Sequence, residues 1–171
     1  MMNTANIIAL MSLIALAGCI DAAQPILTDG RQLVGARPHF QFYVLRDGAA
    51  HEPTAETFAW RGGRYVPVHG DASDIGAFTL HAFENGDLLV QSLRPGKPVE
   101  YAIARKLADG TFLLIAVDET DADDATRAKF CGKQPDATCR VTTRDAVMAF
   151  ARATAAKPHS GGGLAVLMAD R

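Results

Sequence analysis

Charge of one dominant sign is missing from this chain. Its 17 Lys and Arg stand against 19 Asp and Glu, for a formal net charge of −2. A balance this even offers no basic patch or stripe of the kind nucleic acid requires. Long apolar runs are missing too: none reaches the roughly 20 residues that cross a bilayer as a helix. Serine is scarce. Beyond residue 18 there are only Ser73, Ser92 and Ser160, and none lies in a Gly-x-Ser-x-Gly elbow. Without a nucleophile, base and orienting acid in any known pattern, no catalytic residue is assigned and a non-catalytic protein is expected. The 5 histidines are scattered, with no two at ligand spacing on one element. His69 and His81, with Asp71 or Asp74, form only a loose cross-strand grouping. The acidic run Asp118, Glu119, Asp121, Asp123 and Asp124 lacks the glycine and terminal glutamate of an EF-hand loop. It reads instead as the solvated start of a helix, matched to the helix dipole. No metal site and no cofactor are expected.

The most informative feature that is present lies at the start. Ile7 to Ala17 carry no charge, lead into Leu16-Ala17-Gly18-Cys19, and give way to polar sequence at Asp21. The run is too short to span a membrane but suits the core of a secretory signal. An ordinary cleaved signal and an apolar core helix are the alternatives. The stretch resembles the signal peptide of bacterial lipoproteins, whose lipobox reads Leu-Ala-Gly-Cys. That resemblance implies loss of residues 1–18, lipidation of Cys19 and a membrane partner reached through the lipid. Several buried acyl chains, at about 0.8 kcal/mol per CH₂, hold a protein on a membrane effectively permanently. Ile20 rather than aspartate follows the cysteine, which by the same resemblance implies a periplasm-facing outer-membrane location over an inner-membrane one.

The chain beyond residue 18 is of single-domain size, large enough to bury roughly 70% of its unfolded surface. Setting Cys19 aside leaves Cys131 and Cys139, eight positions apart around a turn-rich segment. In an oxidising compartment such a pair is expected to form a disulfide. Their spacing is far wider than Cys-x-x-Cys and no histidine is near, which disfavours a redox or metal role.

Residues 19–38 contain Pro25, Gly30, Gly35 and Pro38 without sustained periodicity, and read as a lipidated tether. Strand signals then dominate a domain over 39–171. His39 to Leu45 is aromatic and β-branched; Ala49 to Glu56 reads as a loop. Three hairpins follow: Thr57–Arg61 with Arg64–Val68 across Gly62-Gly63, Gly76–Phe83 with Asp87–Leu93 across Glu84-Asn85-Gly86, and Val99–Lys106 with Thr111–Val117 across Leu107 to Gly110. Gly-Gly and Asn-Gly supply the positive φ that tight turns need. Phe112 to Val117 is apolar without a break, as in a strand covered on both faces. Thr120 to Phe130 suits a short helix, and Cys139 to Val141 a short strand. A longer helix over 143–157 places Val147, Phe150 and Ala151 on one face. Ser160 to Gly163 reads as flexible, and Leu164 to Met168 as a last edge strand or a fraying end.

The expected architecture is therefore mainly β (α+β): an antiparallel meander of six to eight strands, rolled or half-closed, with a C-terminal helix packed on it. A barrel, a helix and a returning strand make it similar in outline to bacterial lipocalins, although the early Gly-x-Trp of that family is absent and Trp60 follows Phe58-Ala59. The similarity is architectural only. Trp60, Arg61, Arg64 and Tyr65, gathered at one hairpin, are the candidate binding residues. The leading functional expectation is a non-catalytic envelope lipoprotein that binds an envelope protein or cell-wall partner through its loops, and predicts an exposed aromatic patch. The alternatives are a carrier of a small apolar ligand, which predicts an enclosed apolar cavity, and an enzyme inhibitor using the loop between Cys131 and Cys139.

Overall fold

A computed structural model describes residues 19–46, 49–69, 75–131, 138–159 and 162–168. The signal segment 1–18 and the segment 132–137 between the paired cysteines lie outside the described residues. Eight antiparallel strands close on themselves. β2 (His39–Arg46), β3 (Ala49–Arg61), β4 (Arg64–Pro67), β5 (Ala77–Ala82), β6 (Leu88–Leu93), β7 (Val99–Ala108) and β8 (Thr111–Ala116) run as a meander, and β9 (Gly162–Met168) pairs with both β8 and β2. Two helices, α1 (Asp124–Phe130) and α2 (Arg144–Ala155), come between β8 and β9. A two-residue strand, β1 (Asp21–Ala22), joins β7 where β8 has ended. The fold is thus mainly β with a C-terminal helix, and the sheet closes fully rather than stopping at a roll. Among the described residues no helix is long and apolar enough to cross a membrane.

Local chemistry explains most of the elements. Asn85 (φ 58°) and Gly86 (φ 82°) turn the chain between β5 and β6, as their sequence implies. The side chain of Asp123 accepts the Thr126 N–H to begin α1, and that of Thr143 accepts the Ala146 N–H to begin α2. Arg105 on β7 donates to the Ala155 carbonyl at 2.8 Å, satisfying an orphan acceptor at the end of α2. Four expectations about strands and loops in the barrel and its connections need correction. Residues 49–56 are strand, not loop: a bulge between Phe42 and Val44 takes up Pro53, whose missing N–H interrupts no regular ladder there. Cys139 to Val141 form no strand, only an isolated bridge at Arg140. Gly162 and Gly163 belong to a packed strand rather than a flexible run. A Cβ on Gly162 (φ 131°) would strike the Leu114 carbonyl oxygen, so glycine is what lets β9 seat. And β9 is not an edge strand; its pairing on both sides closes the barrel.

Two cores result, one on each side of the barrel wall. The outward side chains of β6, β7 and β8, including Leu89, Tyr101, Ile103 and Ile115, are covered by Ala146, Val147, Phe150 and Ala151 of α2. The second core is interior and aromatic, built on Phe40, Phe58, Tyr65 and Phe78.

The segment 19–38 is not a loose tether. Ile20, Ala22 and Leu27 are buried in the outer core, and Gln91 clamps the chain that follows. Its amide oxygen accepts from Ile26 N (2.9 Å), Leu27 N (3.0 Å) and the Tyr101 hydroxyl (3.3 Å). Its amide nitrogen donates to Leu27 O (3.0 Å) and Thr79 Oγ1 (3.1 Å). Burial raises the Tyr101 hydroxyl to about 12, so it stays a donor. Farther on, Arg31 N donates to Leu80 O on β5 and Trp60 N donates to Ala36 O on β3. The strap therefore passes β4 at that end of the barrel. The sequence lacked periodicity here because, apart from Ile20, Ala22 and Leu27, the strap is held by backbone groups and by polar side chains distant in sequence, among them Gln91, Tyr65 and His81.

The same network contains a buried histidine. His81 is 3% exposed and lies between Thr79 Oγ1 (2.8 Å) and Asp29 Oδ1 (2.9 Å). Asp29 also meets Arg144 at 2.8 Å, and that hydrogen bond holds its carboxyl down at about 2. Burial pushes the His81 pKa below its ordinary 6.5, against the opposing pull of Asp29. The folded state thus keeps His81 neutral, while the unfolded chain takes up a proton near 6.5. Unfolding binds a proton in that window, so stability falls as pH drops below 6.5. Asp29 adds a second loss only between 3.8 and about 2. The melting temperature is expected to be level above neutrality and to decline from about pH 6.5 toward pH 5, a decline that His81→Gln flattens. An unchanged melting temperature across that interval in the unmodified protein would exclude the assignment.

Candidate functional site

The barrel interior holds a cavity of about 610 Å³, inside the range of roughly 300–1,000 Å³ typical of small-molecule sites. Eight-stranded barrels have interiors that side chains just fill, or that hold one small ligand. Here the inward positions divide. On one side, Phe58 and Phe78 meet edge-on at 4.9 Å and Tyr65 stacks on Phe78 at 5.1 Å, filling the space. On the other, β7, β8 and β9 turn Ala102, Ala116, Gly163 and Ala165 toward the cavity. Ala102 faces Ala116 in register, and Leu114 faces Gly163. Small residues at neighbouring positions leave the room.

Burial on the two sides of the wall bears this out. The outward Leu89, Ile103 and Ile115 are 0–2% exposed, whereas the inward Phe42, Leu88, Val90, Phe112 and Leu114 are only part-buried. Apolar side chains facing empty space lose dispersion contacts, and a cavity left unfilled lowers stability. An apolar ligand would restore those contacts.

The polar residues on the cavity wall are few and lie at one end. Ser92 and Glu100 are paired across β6 and β7; Asp118, Asp121 and His159 lie beyond the end of β8 and ahead of β9. Arg94 donates to Glu100 at 2.6 Å and is not itself on the wall. His159 Nε2 donates to the Thr154 carbonyl at 2.7 Å and stands 3.6 Å from Asp121 Oδ2. Asp121 Oδ2 and Arg94 Nε are buried without hydrogen-bond partners among the described residues. Val34, on the strap, lines the other end.

The hairpin residues singled out by sequence are placed away from this polar end. Tyr65 is fully buried; its hydroxyl accepts from Val34 N at 3.1 Å and donates to Gly35 O at 3.0 Å, fixing the strap. Burial raises its pKa above the ordinary 10.0. Trp60 is part-buried with its ring against Tyr65 at 4.9 Å. Arg61 and Arg64 are exposed and in register across the turn. The four do come together, but the aromatic pair packs inward rather than forming an exposed patch. The candidate binding residues read from sequence do not include the cavity-lining Leu88, Val90, Ala102 and Ala116; the alternation of Leu88, Val90 and Ser92 against Leu89 and Gln91 was the available signal.

Cys131 and Cys139 form the expected disulfide, tying the end of α1 to the chain before α2. Glu119 brings a carboxylate oxygen within 4.8 Å of both sulfurs, but sulfurs joined to each other are not the thiolates that a metal takes. The 132–137 loop of the inhibitor reading lies outside the described residues. Cys19 pairs with Asp118, a residue of the polar end. Compared with protein-family models, curated proteins and solved structures, the chain has no significant match in any of the three.

Proposed function

We propose that this protein is a non-catalytic envelope lipoprotein, anchored through Cys19, whose barrel binds a small apolar ligand. The observation that carries the ligand half is the apolar cavity of about 610 Å³ bounded by part-buried inward side chains. It favours the carrier over a loop-mediated protein or cell-wall binder, since Trp60 and Tyr65 pack inward. The anchor half rests on the lipobox resemblance at Leu16-Ala17-Gly18-Cys19.

The packing of residues 20–22 adds a consequence. Ile20 N donates to Val117 O and Asp21 N to Cys139 O, each at 3.1 Å, directly after Cys19. An anchored chain then has little slack between lipid and barrel. The reading puts the polar end of the cavity toward the bilayer, where an apolar ligand would be collected or delivered.

Native mass spectrometry of the protein extracted from its host's envelope in mild detergent tests both halves. The expected result is a chain starting at Cys19 with a covalent lipid-sized increment and a further non-covalent small mass. A chain retaining Met1 would overturn the anchor. A lipidated protein with no small companion, which also leaves the apolar fluorophore N-phenylnaphthylamine unenhanced, would overturn the carrier.

A further inference from the structure

Resting on that reading, we infer that the ligand is a single-chain amphiphile with a cationic head, not a fatty carboxylate. The apolar wall selects a hydrocarbon body; the head must sit where the wall is polar. Of the charged groups there, Glu100 is already neutralised by Arg94 at 2.6 Å. Asp118 and Asp121 face only His159 among the described wall residues, and no lysine or arginine lies on the described wall. The His159 Nε2–H is engaged by the Thr154 carbonyl. Asp118 Oδ1 accepts from Thr120 N and Thr120 Oγ1, both neutral donors at 2.7 Å, and among the described residues no ion pair reaches it. Asp121 Oδ2 is a buried acceptor with no hydrogen-bond donor among the described residues. An ammonium supplies donors and opposite charge to these oxygens, in a partly desolvated setting where such contacts are strong. A carboxylate head would bring a further negative charge to this acidic end and no donor. A body-filling apolar chain with a neutral hydroxyl head falls between the two.

Displacement of N-phenylnaphthylamine by three probes of equal chain length decides the matter: dodecylammonium, dodecanol and laurate, each below its aggregation concentration, at low salt. The ammonium probe is expected to bind at least about tenfold more tightly than laurate, with dodecanol between, and added salt to narrow the gap. Asp121→Asn combined with Asp118→Asn, which keeps the Oδ1 acceptor for Thr120, is expected to bring the ammonium and laurate affinities within about twofold. Equal or inverted affinities in the unmodified protein would overturn the head assignment while leaving the barrel reading intact. Failure of all three probes to displace the fluorophore, or of the fluorophore to bind at all, would overturn the barrel reading and this inference with it.

Discussion

Replacing Ala102 or Ala116 with phenylalanine is expected to weaken fluorophore binding while leaving the melting temperature unchanged or raised. The two alanines face each other across β7 and β8, are part-buried, and line the cavity. A benzyl group at either position enters empty space beside Val90 and Leu114 rather than a filled core. Filling a cavity in this way commonly stabilises a protein by about 0.5–2 kcal/mol. The same group overlaps any ligand, and overpacking costs about 1–3 kcal/mol, so affinity should fall roughly 10- to 100-fold. The opposite signs are the diagnostic. Misfolding would lower stability and binding together; a ligand held elsewhere would leave binding untouched. Fluorophore titration alongside thermal melting of both variants reads the two quantities, and full-strength binding in stable variants would place the ligand outside the barrel.

Much of the fold was legible because its elements are local. The Gly62-Gly63 and Asn85-Gly86 turns, the Thr143 cap and the apolar stripe of α2 each announce themselves within a few residues. Closure was not legible. It depends on β9 reaching β2, a pairing of Phe42 with Ala165 across more than a hundred residues, and on glycines that read equally well as a flexible run. The cavity was hidden for a related reason. Ala102 and Ala116 are unremarkable in separate strands, and leave a void only when the register sets them side by side. The 19–38 segment misled because its order comes from polar contacts. Gln91 sits 64 positions from Leu27, beyond the reach of any periodicity argument.

Gln91 is also a place where one substitution should cost much of the stability. It is 1% exposed, and Gln91→Leu keeps the bulk of the residue while removing every polar contact. The Ile26 and Leu27 N–H groups and the Leu27 carbonyl would lose their partner, and Thr79 Oγ1 would lose a donor. Each buried group left unsatisfied costs about 1–3 kcal/mol. The full sum is not expected, because the strap can lift and let water reach these groups. Lifting in turn exposes Leu27 and uncovers part of the outer core, so neither route is free. A loss of about 3–5 kcal/mol follows, a large share of the roughly 5–15 kcal/mol that holds such a domain folded. Urea unfolding measures the loss, and amide exchange at Ile26 and Leu27 reports the route: fast local exchange means a lifted strap, global exchange a weakened barrel. A loss below about 1 kcal/mol, comparable to one ordinary hydrogen bond, would mean that the glutamine does not hold the strap. Because Val34 on the same strap lines the cavity, a lifted strap should also loosen ligand binding, linking the clamp on the outer wall to the site within.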